Sequence, residues 1–199
     1  MVISGPAGSG KGTVIKRLLE KTGGFEYSVS ATTRSPRPGE VDGVNYFFLS
    51  REEFEKRIEN DDMLEYANYC QNYYGTPKKE AFAVLESGKN LILEIEVKGA
   101  KQIKEKFPDA VTVLVVPPSY RVLEARLRGR GTETDEVIVE RLNTSRQELE
   151  NFNKYDYVIV NEEGQIEKAV DSIIEVSRVE QLKTSRNEGF AKRFFGETL

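Results

Sequence analysis

Residues 5–11 form a short run in which glycines, a serine and a final lysine stand at spacings that suit phosphate binding. The run is Gly5-Pro6-Ala7-Gly8-Ser9-Gly10-Lys11, and it lies between an apolar segment and a helical pattern. In that setting glycines let backbone N–H groups turn toward phosphate oxygens, and the helix N-terminus adds positive potential. Lys11 then extends toward the β- and γ-phosphates. We therefore predict a nucleotide phosphate site, against the alternative of a glycine-rich turn with a solvated lysine.

The two residues after Lys11 bear on the kind of nucleotide enzyme. The position that usually holds Mg²⁺ through Ser or Thr is Gly12 here, and Thr13 follows it. A Lys-Gly-Thr ending resembles the nucleoside monophosphate kinases more than the switch GTPases. That resemblance implies ATP as the donor, with Mg²⁺ held mainly by phosphates and water. Gly12 and Thr13 thus join residues 5–11 as candidate ATP-binding residues, and no protein ligand for the metal is expected.

A second set of side chains suits a second anion. Arg34 and Arg37 are three residues apart on a proline-stiffened loop, and they can bind one phosphate through charge-assisted, bidentate bonds. Tyr46 and Tyr74 offer hydroxyls to the same anion, and Glu40 can hold one arginine in place. Taken singly, each of these residues is better explained as a surface ion pair or a core tyrosine. Together they predict an acceptor phosphate site.

Composition excludes several other kinds of chemistry. The 199 residues include no histidine, which removes Ser-His or Cys-His catalysis and His-ligated metal sites. Cys70 is the only cysteine, so an intramolecular disulfide is excluded and a reducing compartment fits. The net charge of −4 disfavours nucleic acid and anionic membranes as partners. No apolar run reaches the ~18 residues of a membrane span, and no signal-peptide pattern opens the sequence, so we expect a cytoplasmic protein.

These residues need a scaffold, and the sequence indicates an α/β fold with a parallel sheet. Apolar, β-rich runs alternate with helical patterns, as in a sheet covered by helices. The predicted strands are 1–4, 27–30, 90–95, 111–116 and 157–160. The predicted helices are 12–22, 97–106, 119–128, 135–152 and 165–180. With the glycine loop between the first strand and the first helix, this order predicts a three-layer P-loop fold.

Residues 31–89 interrupt the alternation and predict an inserted subdomain. They contain two short aromatic strands and two short helices. One helix begins with a capping box at 50–53. The other is predicted to have Thr76 as its cap and Pro77 as its first residue.

The remaining segments complete a predicted layout of one domain, residues 1–180, with a tail at 181–199. The core comprises 1–30 and 90–180. Glycines among the arginines of 128–132 predict a hinge, so that about 126–150 forms a mobile lid. The tail has no clear period and is expected to be frayed or loosely docked.

The segment 32–49, Thr-Thr-Arg-Ser-Pro-Arg-Pro-Gly-Glu-Val-Asp-Gly-Val-Asn-Tyr-Phe-Phe-Leu, resembles the guanylate kinase signature at every constrained position. The resemblance continues through 72–75, 93–96, 128–134 and 158–161 and covers about residues 1–178. It implies in-line transfer of a phosphoryl group from ATP to GMP, within purine nucleotide metabolism, and a GMP-binding role for the insert. It also assigns five residues to the GMP phosphate: Arg34, Arg37, Glu40, Tyr46 and Tyr74.

For the base, the resemblance points to Ser30, Glu65, Thr76 and Glu96. Guanine presents the donors N1–H and N2–H₂ side by side and an acceptor at O6. A carboxylate accepts from both donors and a hydroxyl donates to O6, an arrangement that adenine cannot satisfy. Glu94 and Glu96 stand where some relatives have aspartates, so Glu94 ranks below Glu65 as a substrate contact.

By the same resemblance, Arg126, Arg130 and Arg141 correspond to lid arginines that close over ATP. Phosphoryl transfer needs in-line positioning, positive charge around the equatorial oxygens and exclusion of water. Arginines on a hinged flap meet these needs. Asn161, after the last strand, is expected to contact adenine, although a turn-forming role explains it about as well.

Two other functions stay open at this point. One is a non-catalytic guanylate-kinase-like module that binds phosphopeptides, which the intact phosphate loop disfavours. The other is a kinase for a different phosphorylated acceptor, which the acceptor signature disfavours. The sequence leaves undecided whether dGMP is also a substrate and whether the protein is a monomer or a homodimer.

Overall fold

The structure is a computed structural model that describes residues 1–69, 71–129, 131 and 134–196. Its strands are β1 Val2–Ser4, β2 Phe25–Tyr27, β3 Ala31–Thr32, β4 Phe47–Phe48, β5 Met63–Tyr69, β6 Asn72–Pro77, β7 Asn90–Glu94, β8 Thr112–Val116 and β9 Tyr157–Val160. Its helices are α1 Lys11–Lys21, α2 Arg51–Glu59, α3 Lys78–Glu86, α4 Val97–Lys106, α5 Tyr120–Arg128, α6 Asp135–Leu149, α7 Ile166–Gln181 and α8 Phe190–Phe194.

The central sheet has five strands in the order β2-β7-β1-β8-β9, and all neighbours run parallel. Parallel strands require crossover connections, which the helices supply. Side chains alternate across the sheet, so Ile3 packs with Val14 of α1 and Ile173 of α7, whereas Val2 packs with Ile103 of α4 on the opposite face. Both faces are therefore buried, and the predicted three-layer α/β fold is confirmed.

A second sheet lies within residues 31–89 and has the order β4-β3-β6-β5. It mixes a parallel pair, β3 with β4, with antiparallel pairs of β6 with β3 and β5. Phe54 of α2 and Met63 are fully buried beneath it, and the Phe54 ring stacks on Tyr73 at 5.1 Å between centroids. The segment thus has a small apolar cluster of its own.

The structure differs from the predicted elements in two places near the site. The strand predicted at 27–30 is Phe25–Tyr27, because Phe25 is buried in the core and pairs with Asn90. The chain leaves the central sheet after Tyr27 and enters the second sheet at Ala31. Strand β6 was not predicted, because the glycine and proline in Asn72–Pro77 disfavour a strand by local propensity.

The start of α3 is a further correction. Pro77 is the N-cap residue and the helix begins at Lys78, one residue later than predicted. Thr76 does not cap the helix, because it lies in β6 and its hydroxyl bonds to Glu65. The helix start predicted at Ser50 is confirmed, since Ser50 Oγ accepts from the backbone N–H of Glu53 at 3.1 Å, whereas the Glu53 carboxylate bonds to Arg57 one turn later.

Two peripheral segments complete the fold. At the predicted hinge, Arg128 pairs with Glu124 and Asp135, while Arg130, Thr132 and Glu133 lie outside the described residues. In the tail, Arg186 donates to the carbonyl of Asp109, so residues up to that point contact the domain. Within the described part of the chain, no helix is both long enough and apolar enough to cross a membrane.

Candidate active site

The glycine loop connects β1 to α1 in a conformation that only glycine adopts easily. Gly5, Gly8 and Gly10 have φ values of 153°, 89° and 83°. A Cβ atom at Gly5 would lie 2.1 Å from the carbonyl oxygen of Val115, and one at Gly10 would lie 2.4 Å from Asn161 Nδ2. The sequence therefore places glycines where positive φ and close packing both require them.

Lys11 is the first residue of α1, so its side chain extends from a helix N-terminus. Its Nζ donates to the carbonyl oxygen of Gly5 at 3.1 Å across the loop. The loop backbone, the helix N-terminus and the ammonium group thus face the same space, which is the arrangement that binds phosphate.

Two distant residues hold the loop in place. Asn161 Nδ2 donates to the carbonyl oxygen of Ser9 at 2.9 Å, and its side chain is buried, with 7% of the residue exposed. Arg126 of α5 donates to the same oxygen at 3.1 Å and to the carbonyl oxygen of Asn161 at 2.9 Å. These bonds join the loop, α5 and the end of β9. The side chains of Asn161 and Arg126 are both hydrogen-bonded to the loop in this structure. The adenine contact of Asn161 and the place of Arg126 on a closing lid stay predictions.

Beside the loop lies a cavity of about 300 Å³ between the two sheets. Seven of the predicted site residues line it: Lys11, Ser30, Tyr46, Glu65, Tyr74, Glu94 and Glu96. They come from six separate segments of the chain. Lys11 belongs to the predicted donor loop, so one cavity contains both the predicted donor lysine and six of the predicted acceptor residues.

Glu65 forms the deep end of this cavity. Only 3% of the residue is exposed, and its Oε1 accepts a 2.7 Å hydrogen bond from Thr76 Oγ1. Thr76 was predicted to donate to a guanine O6, but its proton here is used by Glu65. A Cβ atom at Gly99, in the first turn of α4, would lie 2.5 Å from Glu65 Oε2. The carboxylate therefore lies between the Thr76 hydroxyl and the first turn of α4, and a side chain at position 99 would clash with it.

Burial is the main influence on the charge of Glu65, and it raises the pKa of this carboxyl to about 7. The bond from Thr76 and the charge of Lys106 lower the pKa, whereas the charge of Glu96 raises it. The carboxyl is consequently poised to change charge near neutral pH, and bonds from two donors would favour its ionised form.

The predicted acceptor anion site is built around Arg34. Its guanidinium bonds to Glu40 Oε1 at 2.8 Å and lies over the ring of Tyr46, 5.5 Å from the centroid. Glu40 Oε2 also accepts from the backbone N–H of Arg37 at 2.7 Å. Glu40 thus shapes the loop, and its pKa is lowered chiefly by the bond from Arg34. The Tyr46 and Tyr74 rings meet edge to face at 6.1 Å, whereas the Arg37 side chain is exposed.

Five lining residues were not predicted as site residues: Tyr27, Ala67, Gly75, Ile95 and Gly99. Tyr27 ends β2 beside the cavity, and Gly99 lies under Glu65. Tyr27 and Gly99 each carry a signal in the sequence. Ligands bind at the carboxyl ends of parallel strands, where Tyr27 lies, and an isolated glycine inside a helical pattern indicates close packing.

The other predicted residues that the structure describes are not among those that line the cavity. Arg141 lies on α6 and is half-buried. Arg130 falls outside the described residues, so its predicted place over the donor remains a prediction. Thr13 and Gly12 are exposed on the first turn of α1, and a Cβ at Gly12 would lie 3.5 Å from Glu94 Oε1. Glu94 therefore lies against the start of the donor helix.

With this geometry described, comparison with known proteins gives one family. The guanylate kinase family model matches residues 1–179. A guanylate kinase of Halalkalibacterium halodurans is 52% identical over 186 residues, covering 94% of this chain and 90% of that protein. One of Desulfitobacterium hafniense is 50% identical, with 94% and 92% covered.

A solved structure agrees. The crystal structure of guanylate kinase from Anaplasma phagocytophilum has a TM-score of 0.74 and 35% identity, covering 93% of this chain and 87% of that one. The resemblance drawn from the acceptor signature is thereby confirmed. This chain belongs to the guanylate kinase family.

Proposed function

We propose that this protein is a guanylate kinase, which transfers the γ-phosphoryl group of ATP to GMP and releases ADP and GDP. One observation carries the proposal: the phosphate-loop lysine, Lys11, and the buried carboxylate of Glu65 line the same cavity. A donor phosphate and a base with paired N–H donors can therefore occupy adjoining parts of one cleft. The family relatives, named guanylate kinases, support the same reaction.

The transfer needs no proton acceptor of the histidine type. In the proposed step, an oxygen of the GMP phosphate forms a bond to the γ-phosphorus of ATP. The bond between that phosphorus and the β–γ bridging oxygen breaks, and ADP leaves with its electron pair. The attacking oxygen is already anionic, so the absence of histidine from the chain is no obstacle. Catalysis then depends on position and on positive charge.

The donor end of the cleft suits ATP phosphates. The hydroxyl of Ser9 is buried and has no hydrogen-bond partner among the described residues, so a phosphate oxygen would satisfy it. Lys11 would bind the β- and γ-phosphates. In this proposal Arg130 and Arg141 add charge when residues of about 126–150 close over the donor, and Arg126 adds charge from the base of the loop.

Mg²⁺ accompanies ATP in this proposal, and it supplies charge neutralisation at the phosphates. Within residues 1–69, 71–129, 131 and 134–196, no three acidic or cysteine side chains lie together as a metal-binding group. We propose that phosphates and water hold the ion, as the Lys-Gly-Thr ending of the loop suggests.

The acceptor end suits GMP. Glu65 would accept from N1–H and N2–H₂, Ser30 would donate to O6, and Thr76 would hold Glu65 in place. Arg34 and Arg37, with Tyr46 and Tyr74, would bind the phosphate. Adenine offers an acceptor at N1, where Glu65 needs a donor, so a buried site of this kind should reject AMP strongly.

The test is a coupled assay of ADP release with ATP and, in turn, GMP, dGMP, IMP, AMP, UMP and CMP. We expect GMP to exceed AMP by a large factor in kcat/KM, with IMP between them. Equal rates with AMP would contradict the guanine site, and no ADP release with any nucleotide would favour a binding module. Comparing dGMP with GMP measures how much the 2′-hydroxyl contributes to kcat/KM.

A further inference from the structure

Strand β5, which carries Glu65, is the last strand in the order of the second sheet. An edge strand of this kind presents a row of backbone groups that no further strand binds. Here side chains of α4 bind those groups on both sides of Glu65. Gln102 Oε1 accepts from the Tyr66 N–H at 3.2 Å, and Gln102 Nε2 donates to the Tyr66 carbonyl oxygen at 2.8 Å. Lys106 Nζ donates to the carbonyl oxygen of Leu64 at 2.9 Å.

The strand needs this support because its pairing with β6 is irregular at Glu65. Met63 is opposite Pro77 and Glu65 is opposite Thr76, so the register shifts at Leu64. A bulge of this kind disrupts the ladder locally and bends the strand. Pairing with β6 alone therefore does not fix the direction in which the Glu65 side chain leaves the strand.

One face of α4 makes all of these contacts. Gly99, Gln102, Ile103 and Lys106 are three, four and seven residues apart, which places them on the same side of a helix. Gly99 leaves room for the Glu65 carboxylate, and Ile103 packs in the same apolar cluster as Leu64. Gln102 and Lys106 bind the backbone of β5. The helix thus contacts the strand at the carboxylate, at an apolar side chain and at the backbone.

We infer that Gln102 and Lys106 are positioning residues, which hold Glu65 in register with both guanine donors by binding the backbone of β5. A carboxylate that accepts from N1–H and N2–H₂ together must keep both distances near 2.9 Å, so a small shift of the strand weakens this pair of bonds. IMP lacks the 2-amino group and depends on one of the two bonds, so it should lose less than GMP.

This inference rests on the proposed function, but the two fail separately. Turnover and base selectivity of the unmodified protein test the proposed function. Only the comparison of α4 variants with that protein tests the positioning role.

The first experiment compares Gln102→Met with Asn187→Leu by steady-state kinetics with GMP and IMP. Methionine has nearly the length of glutamine but cannot make the two bonds to Tyr66. We expect kcat/KM to fall about tenfold for GMP, the loss of two hydrogen bonds of ordinary strength, and less than about threefold for IMP. Asn187 is the control, because its amide also makes two backbone bonds but lies in the tail, and its variant should keep both values. Equal losses for GMP and IMP, or no loss, overturn the inference.

The second experiment compares Lys106→Met with Lys104→Met. Lys104 is the matched control, because it lies on the same helix and donates to a backbone carbonyl, that of Ala110, at 2.8 Å. We expect Lys106→Met to narrow the GMP/IMP ratio about threefold, Lys106→Arg to restore it, and Lys104→Met to leave it unchanged. The Lys106 charge lowers the pKa of Glu65, against burial and the charge of Glu96. The fall in kcat/KM at low pH should therefore move to higher pH in Lys106→Met only. Equal ratios in the two methionine variants overturn the inference.

The third experiment asks whether Gln102 acts through Glu65. In a Glu65→Gln background, adding Gln102→Met should change the GMP/IMP ratio by less than about twofold. The same narrowing in both backgrounds would mean that the two sites are independent and would overturn the inference. Hydrogen exchange of the Tyr66 amide, followed by NMR, gives a readout that does not depend on turnover. We expect faster exchange in Gln102→Met, and an unchanged rate contradicts the support of β5 by this side chain.

Discussion

The donor loop and the acceptor cavity lie side by side, yet they are built in opposite ways. The loop is seven consecutive residues, and its shape follows from three glycines at positive φ between a strand and a helix. Apart from Lys11, the cavity draws its lining from five segments that lie between residues 27 and 99. Even so, the loop depends on distant residues for its support, because Asn161 and Arg126 bind the carbonyl of Ser9.

The difference shows where each kind of specificity is located. In the proposed function, phosphate is recognised by backbone N–H groups and one lysine, which a local motif can supply. Guanine is recognised in this proposal by a buried carboxylate, and a buried carboxylate needs partners from several elements. Glu65 has Thr76 on the neighbouring strand and Gly99 on α4. The acceptor site is therefore more sensitive to tertiary packing than the donor site.

The largest expected effect is on the donor side. Lys11→Met should lower kcat by at least ~10²–10³, because it removes a charge that acts mainly on the transferring phosphoryl group. The fold should persist, as judged by thermal unfolding. Lys16→Met is the matched control, since Lys16 is an exposed lysine farther along the same helix. Near-normal turnover of Lys11→Met would contradict the role of the loop.

On the acceptor side, Glu65→Gln should lower kcat/KM for GMP by about tenfold to a hundredfold, the loss of one charge-assisted hydrogen bond. An amide cannot accept from both N1–H and N2–H₂, so the preference for GMP over IMP should narrow while ATP KM stays constant. Glu96→Gln serves as the comparison. An unchanged GMP/IMP ratio in the Glu65 variant, with a changed ratio in the Glu96 variant, would move base recognition to Glu96.

Gly99→Ala tests whether packing positions the carboxylate. The added Cβ would lie 2.5 Å from Glu65 Oε2, so the carboxylate must shift, and kcat/KM for GMP should fall about tenfold. Gly23→Ala is the control, because no atom lies within 4 Å of a Cβ at that position. Equal kinetics of the two alanine variants would show that Glu65 tolerates displacement.

The pH dependence of GMP binding follows from the raised pKa of Glu65, about 7. The ionised carboxylate binds the guanine donors, so kcat/KM for GMP should fall as pH decreases through 7, by about tenfold between pH 8 and pH 6. The charges of Lys106 and Glu96 also act on the pKa of this carboxyl. A parallel pH profile of Glu96→Gln should therefore be measured, because that variant lacks the Glu96 charge. The fall in kcat/KM at low pH should disappear in Glu65→Gln. If the fall persists in that variant, another group causes it.

The smallest expected effect tests the support of the loop. Asn161→Ala removes one buried bond to Ser9 and should raise ATP KM up to about fivefold with little change in GMP KM. Asn187→Ala is the control, because Asn187 also donates to backbone carbonyls but lies in the tail. A larger change in GMP KM than in ATP KM would show that Asn161 supports the acceptor cavity instead.

The sequence by itself predicted the phosphate loop, the acceptor signature and the α/β class. Each rests on spacing along the chain: glycines before a lysine, two arginines three residues apart, and apolar runs alternating with helical patterns. Even the family followed from such local patterns, because residues 32–49 carry most of the acceptor signature.

Only the tertiary structure decided how individual side chains are used. Thr76 was predicted to cap a helix and to contact the base, whereas its hydroxyl bonds to Glu65. The bond from the Asn161 amide to the carbonyl of Ser9 was not predicted from the sequence. Gly99 was missed because Glu65, the residue that a Cβ atom at position 99 would meet, is 34 residues away along the chain. A hydroxyl or an amide bonds to whichever partner the fold brings within about 3 Å, and no local pattern of residues specifies that partner.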